Sequence, residues 1–184
     1  MSNAIELLRE DHRKVKDLFD HFEATESGDK KQIVDTTLRE LAVHTAIEEE
    51  IFYPAARRAL ENIDGDQSDT IDEAWEEHHV VKLLAAELKK MRASDDRYDA
   101  KFTVLAEAVK HHIEEEEGEL FPKLEGHIEN EELGEKMMTR KQSLLRVGSK
   151  SNSRSDSAGT RSATNRGKAK QRMRKRHRAS GNRR

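Results

Sequence analysis

Apolar positions along this chain recur at three- and four-residue steps rather than alternating, which is the period of amphipathic helices. Leu8, Val15, Leu18, Phe19 and Phe22 form a first stripe, and Ile33, Thr37, Leu41, Ile51 and Phe52 a second. Ile71, Trp75, Val81, Leu84, Leu88 and Met91 form a third, and Phe102, Leu105, Val109 and Leu120 a fourth. Turn-forming segments separate them at Ser27-Gly28-Asp29, between Asn62 and Ser68, and at Ser94-Asp95-Asp96. Four such helices with short connections predict an all-α, up-down-up-down four-helix bundle. A weaker fifth helix is predicted from about Asn130 to Leu145, with Leu133, Met137 and Leu144 on one side.

Composition changes this picture in two ways. The 184 residues include no cysteine, which excludes a disulfide framework, Cys-ligated metal sites and thiol catalysis. Charge is divided unevenly. Residues 1–139 carry 18 Lys and Arg against 36 Asp and Glu, whereas residues 140–184 carry 16 Lys and Arg and one acid, Asp156. The reading is an acidic bundle over 1–146, with its core in 1–125, followed by a disordered basic tail over 147–184. Within the tail, Lys168, Lys170, Arg172, Arg174, Lys175, Arg176 and Arg178 crowd into eleven residues and would draw polyanions through counterion release. Non-specific nucleic acid is the first candidate partner. An anionic membrane surface, contact with the acidic body and a solubilising role are the alternatives. No aromatic residue interleaves the tail for base stacking. No apolar run reaches about 18 residues, which argues against membrane insertion, and the N-terminus lacks the basic start and apolar stretch of a leader. The expected location is cytoplasmic.

The bundle repeats itself. Asp11-His12-x-x-Val15-Lys16-x-Leu18 matches Glu77-His78-x-x-Val81-Lys82-x-Leu84. His44-x3-Glu48-x4-Tyr53-Pro54 matches His112-x3-Glu116-x4-Phe121-Pro122. Each half is therefore a helical hairpin with a His on its first helix and a His-x3-Glu on its second. A His and a Glu four residues apart share one helical face. Here they fall inside the apolar stripes, so four imidazoles and two carboxylates point toward one interior. Buried carboxylates without a partner cost several kcal/mol or stay protonated, and a cation removes that cost. Imidazole and carboxylate without thiolate suit iron, manganese or zinc. Two His and one Glu per half fit two metals bridged by the carboxylates.

Neighbouring residues compete for these roles. His111 with Glu115 has the same spacing as His112 with Glu116, but only His112 precedes its proline by the ten residues that separate His44 from Pro54. His78 is favoured over His79 by the alignment with Asp11-His12. His21, His127 and His177 have no partner at the right spacing and are expected at the surface. The runs Glu48 to Glu50 and Glu114 to Glu117 are read as solvated, with one member each turned inward. Tyr53 is read first as a packing residue and second as a side chain near the centre. A calcium loop at Asp64, Asp66 and Ser68 is rejected, because Asp69 and Trp75 occupy its glycine and terminal-ligand positions.

With the Phe-Tyr-Pro and Leu-Phe-Pro that follow its second and fourth motifs, this pattern resembles the hemerythrin-like, HHE cation-binding family over roughly residues 1–125. The resemblance implies a metal set of His12, His44, Glu48, His78, His112 and Glu116 around two non-haem irons, with Mn or Zn as substitutes. It implies binding of, or response to, oxygen, peroxide or nitric oxide, with peroxide decomposition in some members. An iron store or sensor without turnover and a nucleic-acid-associated protein anchored by its tail are the alternatives. Oxygen-carrying members have a further His one turn away on the third helix. Here Ala74 and Lys82 stand at those positions, which leaves open coordination positions and disfavours simple oxygen carriage. Trp75 and Phe19 are the bulky neighbours expected to limit access.

Overall fold

The computed structural model describes residues 3–26, 28–64 and 68–146, all of whose regular structure is helical. It divides into a unit over Met1–Gln142 and a unit over Ser143–Arg184. In the second unit, residues 143–146 are helical, and the predicted tail from 147 onward, with its basic residues and His177, lies outside the described residues.

In the first unit α1 spans Ala4–Ala24 and starts where the Asn3 side chain accepts the Glu6 backbone N–H at 3.2 Å, an N-cap. Gly28, at φ +86°, reverses the chain in a conformation that residues with a Cβ rarely adopt. Helix α2 covers Lys30–Ile47 and passes through one π turn, Glu48–Phe52, into α3, Tyr53–Asp64. Helix α4 covers Ser68–Leu88. Helix α5, Tyr98–Glu115, passes through a second π turn, Glu116–Leu120, into the short α6, Phe121–Leu124. Residues 130–142 of this unit form α7. Hence α1 packs on α2, α4 on α5, and the two hairpins close on each other, giving the four-helix bundle.

The two π turns have one sequence cause. Pro54 and Pro122 have no N–H to donate, and a proline ring inside an α-helix collides with the carbonyl four residues back. Widening the preceding turn relieves this, and Tyr53 and Phe121 instead donate their N–H to Glu48 and Glu116 five residues back. Each π turn therefore begins at the glutamate of a His-x3-Glu motif.

At one end the interior is apolar, built on Val15, Phe19, Phe22, Leu38, Leu41, Leu88, Phe102, Leu105 and Val109. Phe102 anchors it, its ring lying 4.3 Å from that of Phe22 and 5.7 Å from that of Phe19. Two expectations are corrected. Trp75 is not a core residue: it is 40% exposed, its ring resting 6.3 Å from that of Tyr53, so it does not wall the interior. Asn62 is not in a turn, because α3 continues through it and its side chain donates to the Arg58 carbonyl at 2.8 Å. The weak fifth helix is present, held by fully buried Met137 and by the Asn130 side-chain Oδ1, which accepts from the Ile5 N–H at 3.4 Å. Among the described residues no helix is long and apolar enough to cross a membrane.

Truncating the aromatic anchor removes one large side chain from a site walled on all sides. Phe102→Ala should destabilise the bundle by about 3–5 kcal/mol. Urea unfolding followed by circular dichroism should show this as a lower midpoint at unchanged slope.

Candidate metal centre

Next to the apolar end, α1 presents His12, α2 His44, α4 His78 and α5 His112, while the two π turns present Glu48 and Glu116. All six are buried. Their donor atoms converge. Glu48 Oε2 lies 3.2 Å from His44 Nε2 and 3.4 Å from His78 Nε2. Glu116 Oε2 lies 3.3 Å from His12 Nε2 and 3.6 Å from His112 Nε2. The donors fall into two groups, His12-His44-Glu48-Glu116 and Glu48-His78-His112, each with its atoms within 4.8 Å of one another. Glu48 belongs to both groups.

A second layer of carboxylates stands behind the imidazoles. Nδ1–H of His12 donates to Glu117 at 2.8 Å, that of His78 to Glu49 at 2.9 Å, and that of His112 to Glu77 at 2.7 Å. Each bond fixes the ring so that Nε2 faces the interior, and it makes that nitrogen a stronger donor to a metal. The fourth ring, His44, has Asp11 behind it, at 3.7 Å from Nδ1. All four of these supporting acids come from runs read as solvated or from the residue before a motif His. Glu49 and Glu117 directly follow the interior glutamates, and the wide π turn lets both neighbours aim into the bundle.

Tyr53 also belongs to the site, which its first reading as packing did not foresee. Its hydroxyl donates to Glu116 Oε1 at 2.9 Å and lies 3.3 and 3.4 Å from Nε2 of His78 and His112. Phe121, its counterpart in the repeat, stacks on His12 at 5.9 Å and brings no polar group. The rejected alternatives lie outside. His79, His21 and His127 are exposed, and His111 pairs at the surface with Glu115 at 3.2 Å.

Burial governs the charges here. It pushes the Glu48 carboxyl well above the usual range, reinforced by the Glu116 charge. Burial acts on Glu116 in the same direction, but His112, His12 and His44 together hold its carboxyl below that range. Desolvation, with the neighbouring His112, drives the His78 imidazole down to about 2, so it is neutral throughout the physiological range. His44 is lowered by burial as well. Both Glu48 oxygens, Glu116 Oε2 and His12 Nε2 are buried without a hydrogen-bond partner. Such orphaned acceptors aimed at one another are rare in interiors, and a cation between them satisfies all of them.

The hemerythrin HHE cation binding domain profile matches residues 3–124. This chain belongs to the hemerythrin HHE cation-binding family. The HHE bundle is also found at 29% identity in a crystallised HHE domain-containing protein from Mycobacterium kansasii, which superposes with a TM-score of 0.65 over 78% of this chain and 88% of that one. A DNA nickase from Nostoc sp. is 29% identical over 71% of this chain and 36% of its own length. A hemerythrin-like protein of Schizosaccharomyces pombe is 27% identical over 72% of this chain and 64% of its own. The chain thus spans about a third of the first curated relative and just under two thirds of the second. The HHE assignment makes this a metal-cation-binding domain, and the inward His and Glu residues are groups that could hold the metal.

Removing a supporting acid should weaken metal binding while leaving the bundle folded. Glu49→Gln, Glu77→Gln and Glu117→Gln are each expected to lower metal affinity about 10–100-fold, as competition against a chelator would measure.

Proposed function

We propose that this HHE domain holds a non-haem di-iron centre on His12, His44, Glu48, His78, His112 and Glu116, and that it responds to oxygen, peroxide or nitric oxide in the cytoplasm. The observation that carries this reading is the sharing of Glu48 between two donor groups whose atoms all lie within 4.8 Å. Iron suits a site of imidazole and carboxylate without thiolate, with Mn or Zn as substitutes. A pair of irons would supply redox chemistry and open coordination positions, the combination needed to convert two hydrogen peroxide molecules into two waters and one oxygen.

The chain's own residues define what reaches such a centre. On its apolar side a cavity of about 10 Å3 is lined by the four histidines with Val15, Leu41, Val81, Val109 and Ile113. This is room for about one water-sized molecule, the scale of the smallest ligands. The Tyr53 hydroxyl faces the His78–His112 pair. Burial and the charge of Glu116 raise its pKa well above 10, so it stays protonated and offers a hydrogen-bond donor at the centre.

An iron store or sensor without turnover shares the same ligands and differs only in lacking peroxide consumption. The nucleic-acid reading has separate support in the basic tail and in the likeness to a protein described as a DNA nickase. Under that reading, residues such as Lys168, Lys170, Arg172, Arg174, Lys175, Arg176 and Arg178 hold phosphates while the bundle keeps the metal.

Protein from iron-supplied cells should contain two irons per chain and show a charge-transfer band in the near ultraviolet. His112→Ala should lose iron and the band together, and any oxygen release from peroxide with them. A folded wild-type protein without iron would overturn the di-iron reading, and iron without peroxide consumption would leave the store or sensor. Cation uptake should also release protons, because burial keeps a proton on Glu48 that a bound cation expels. Affinity should therefore rise with pH, as titrations in weakly buffered solution would show. Deleting 147–184 should abolish binding to duplex DNA, which in the full chain should weaken about a thousandfold between 50 and 200 mM salt. Equal binding by the truncated protein would refute the tail's role.

A further inference from the structure

The outer layer behind the imidazoles follows the internal repeat almost everywhere. Glu117 behind His12 lies 3.8 Å from Lys16, and Glu49 behind His78 is paired with Lys82. Lys16 and Lys82 occupy the same position in the two copies of the repeat, as do Glu117 and Glu49. Each motif of this kind is a chain of imidazole, carboxylate and ammonium running outward from the centre. The remaining pair breaks the symmetry. Glu77 behind His112 has His111 at 3.9 Å, and Val43 stands where the first half would need the matching histidine. Asp11 is also one methylene shorter than Glu77, its counterpart.

The partner that Asp11 lacks within the repeat comes from outside it. Lys141 on α7 pairs with Asp11 Oδ1, and that lysine is itself largely buried. Helix α7 is fixed by Met137 in the core and by Arg140, which donates from Nε and Nη2 to Glu50 at 2.6 and 2.8 Å. The short aspartate is thus held at the α7 side. Its other oxygen stops 3.7 Å from His44 Nδ1, and both of these atoms are buried without a hydrogen-bond partner. The three rings backed by glutamate have that bond at 2.7–2.9 Å.

We propose that Lys141 is a positioning residue that acts through Asp11 on His44, holding the aspartate back so that His44 is the least supported of the four imidazoles. The docking of α7 thereby sets how firmly the His12–His44 end of the centre grips its ion. This rests on the metal-binding reading of the six interior residues. It goes beyond that reading in making the two halves of the centre unequal and in giving the last helix control over one of them. A hydrogen bond at Nδ1 orients a ligating imidazole and strengthens its metal bond, so adding or loosening it changes affinity by about 10–100-fold.

Asp11→Glu restores the methylene that the second half possesses. The test loads the full chain with cobalt(II), reads the metal by its visible absorption, and follows its removal by a chelator. Asp11→Glu should slow release of one of the two ions about tenfold. Lys141→Met frees Asp11 to close on His44 and should slow the same phase, whereas Lys141→Arg keeps the ion pair and should leave it unchanged. Nitrogen-15 spectra of the zinc-loaded protein give a second readout that stability alone would not move. The His44 Nδ1–H resonance should lie upfield of those of His12, His78 and His112, and should move downfield in Asp11→Glu. Unchanged release and an unchanged resonance in Asp11→Glu would overturn the proposal, as would faster release in Lys141→Met. Failure of the wild type to take up metal would instead sink the metal-centre reading, and the same resonances in metal-free protein would then decide the role of Lys141.

Discussion

Two glutamates in the middle of an apolar bundle set the terms for everything around them. Glu48 and Glu116 are out of water, and the donor atoms that face them are histidine nitrogens and, at Glu116, the Tyr53 hydroxyl. Burying a carboxylate with an unsatisfied oxygen costs several kcal/mol, more than any single aromatic contact in this core returns. A sequence that keeps two such groups inside, once in each half of an internal repeat, accepts that cost for chemistry. The rest of the interior is arranged to limit it. Apolar residues from all four long helices stabilise one end, and the polar end is closed by four imidazoles, three of which have their outer nitrogens hydrogen-bonded to acids.

The π turns show how the backbone serves the same purpose. On a regular α-helix, adjacent residues diverge by about 100°, so Glu48 and Glu49 could not both serve the interior. The wide turn that Pro54 imposes brings Glu48 to the centre and leaves Glu49 within reach of His78, and Pro122 does the same for Glu116 and Glu117 with His12. One proline thus determines the direction of two carboxylates. It also places Tyr53 and Phe121 as the first residues beyond each turn, against the imidazoles of His78 and His12.

How much of this could be read in the chain follows from which signals are periodic. The bundle and its six inward residues could be, because stripes, His-x3-Glu spacing and an internal repeat all point to the same faces. Glu49 and Glu117 could not, since acids within a glutamate run look like a solvated surface and only the π turn redirects them, and Glu77 on the regular helix α4 looks equally like a solvated acid. Their one sequence signal was the repeat itself, which pairs an acid before each first-helix histidine and another after each motif glutamate. Tyr53 was ambiguous because one aromatic serves packing and chemistry equally well until its hydroxyl is located. Trp75 was misplaced for the opposite reason: its spacing suits the stripe, but in the bundle that position faces outward beside Tyr53.

The departures from internal symmetry carry the most information about what distinguishes the two halves. Where the copies agree, as with Lys16 and Lys82, the residues serve a requirement common to both halves of the interior. Where they differ, each difference adds or removes one polar group at one side of the centre. Tyr53 against Phe121 puts a hydroxyl beside His78 and His112 and none beside His12. Asp11 against Glu77, with Val43 against His111, leaves Asp11 without a partner inside the repeat and opens a place for Lys141. Both changes distinguish the His12–His44 side from the His78–His112 side. A centre built from a duplicated hairpin would begin with two equivalent positions, and these few substitutions suffice to give one a hydrogen-bond donor and the other a connection to the last helix.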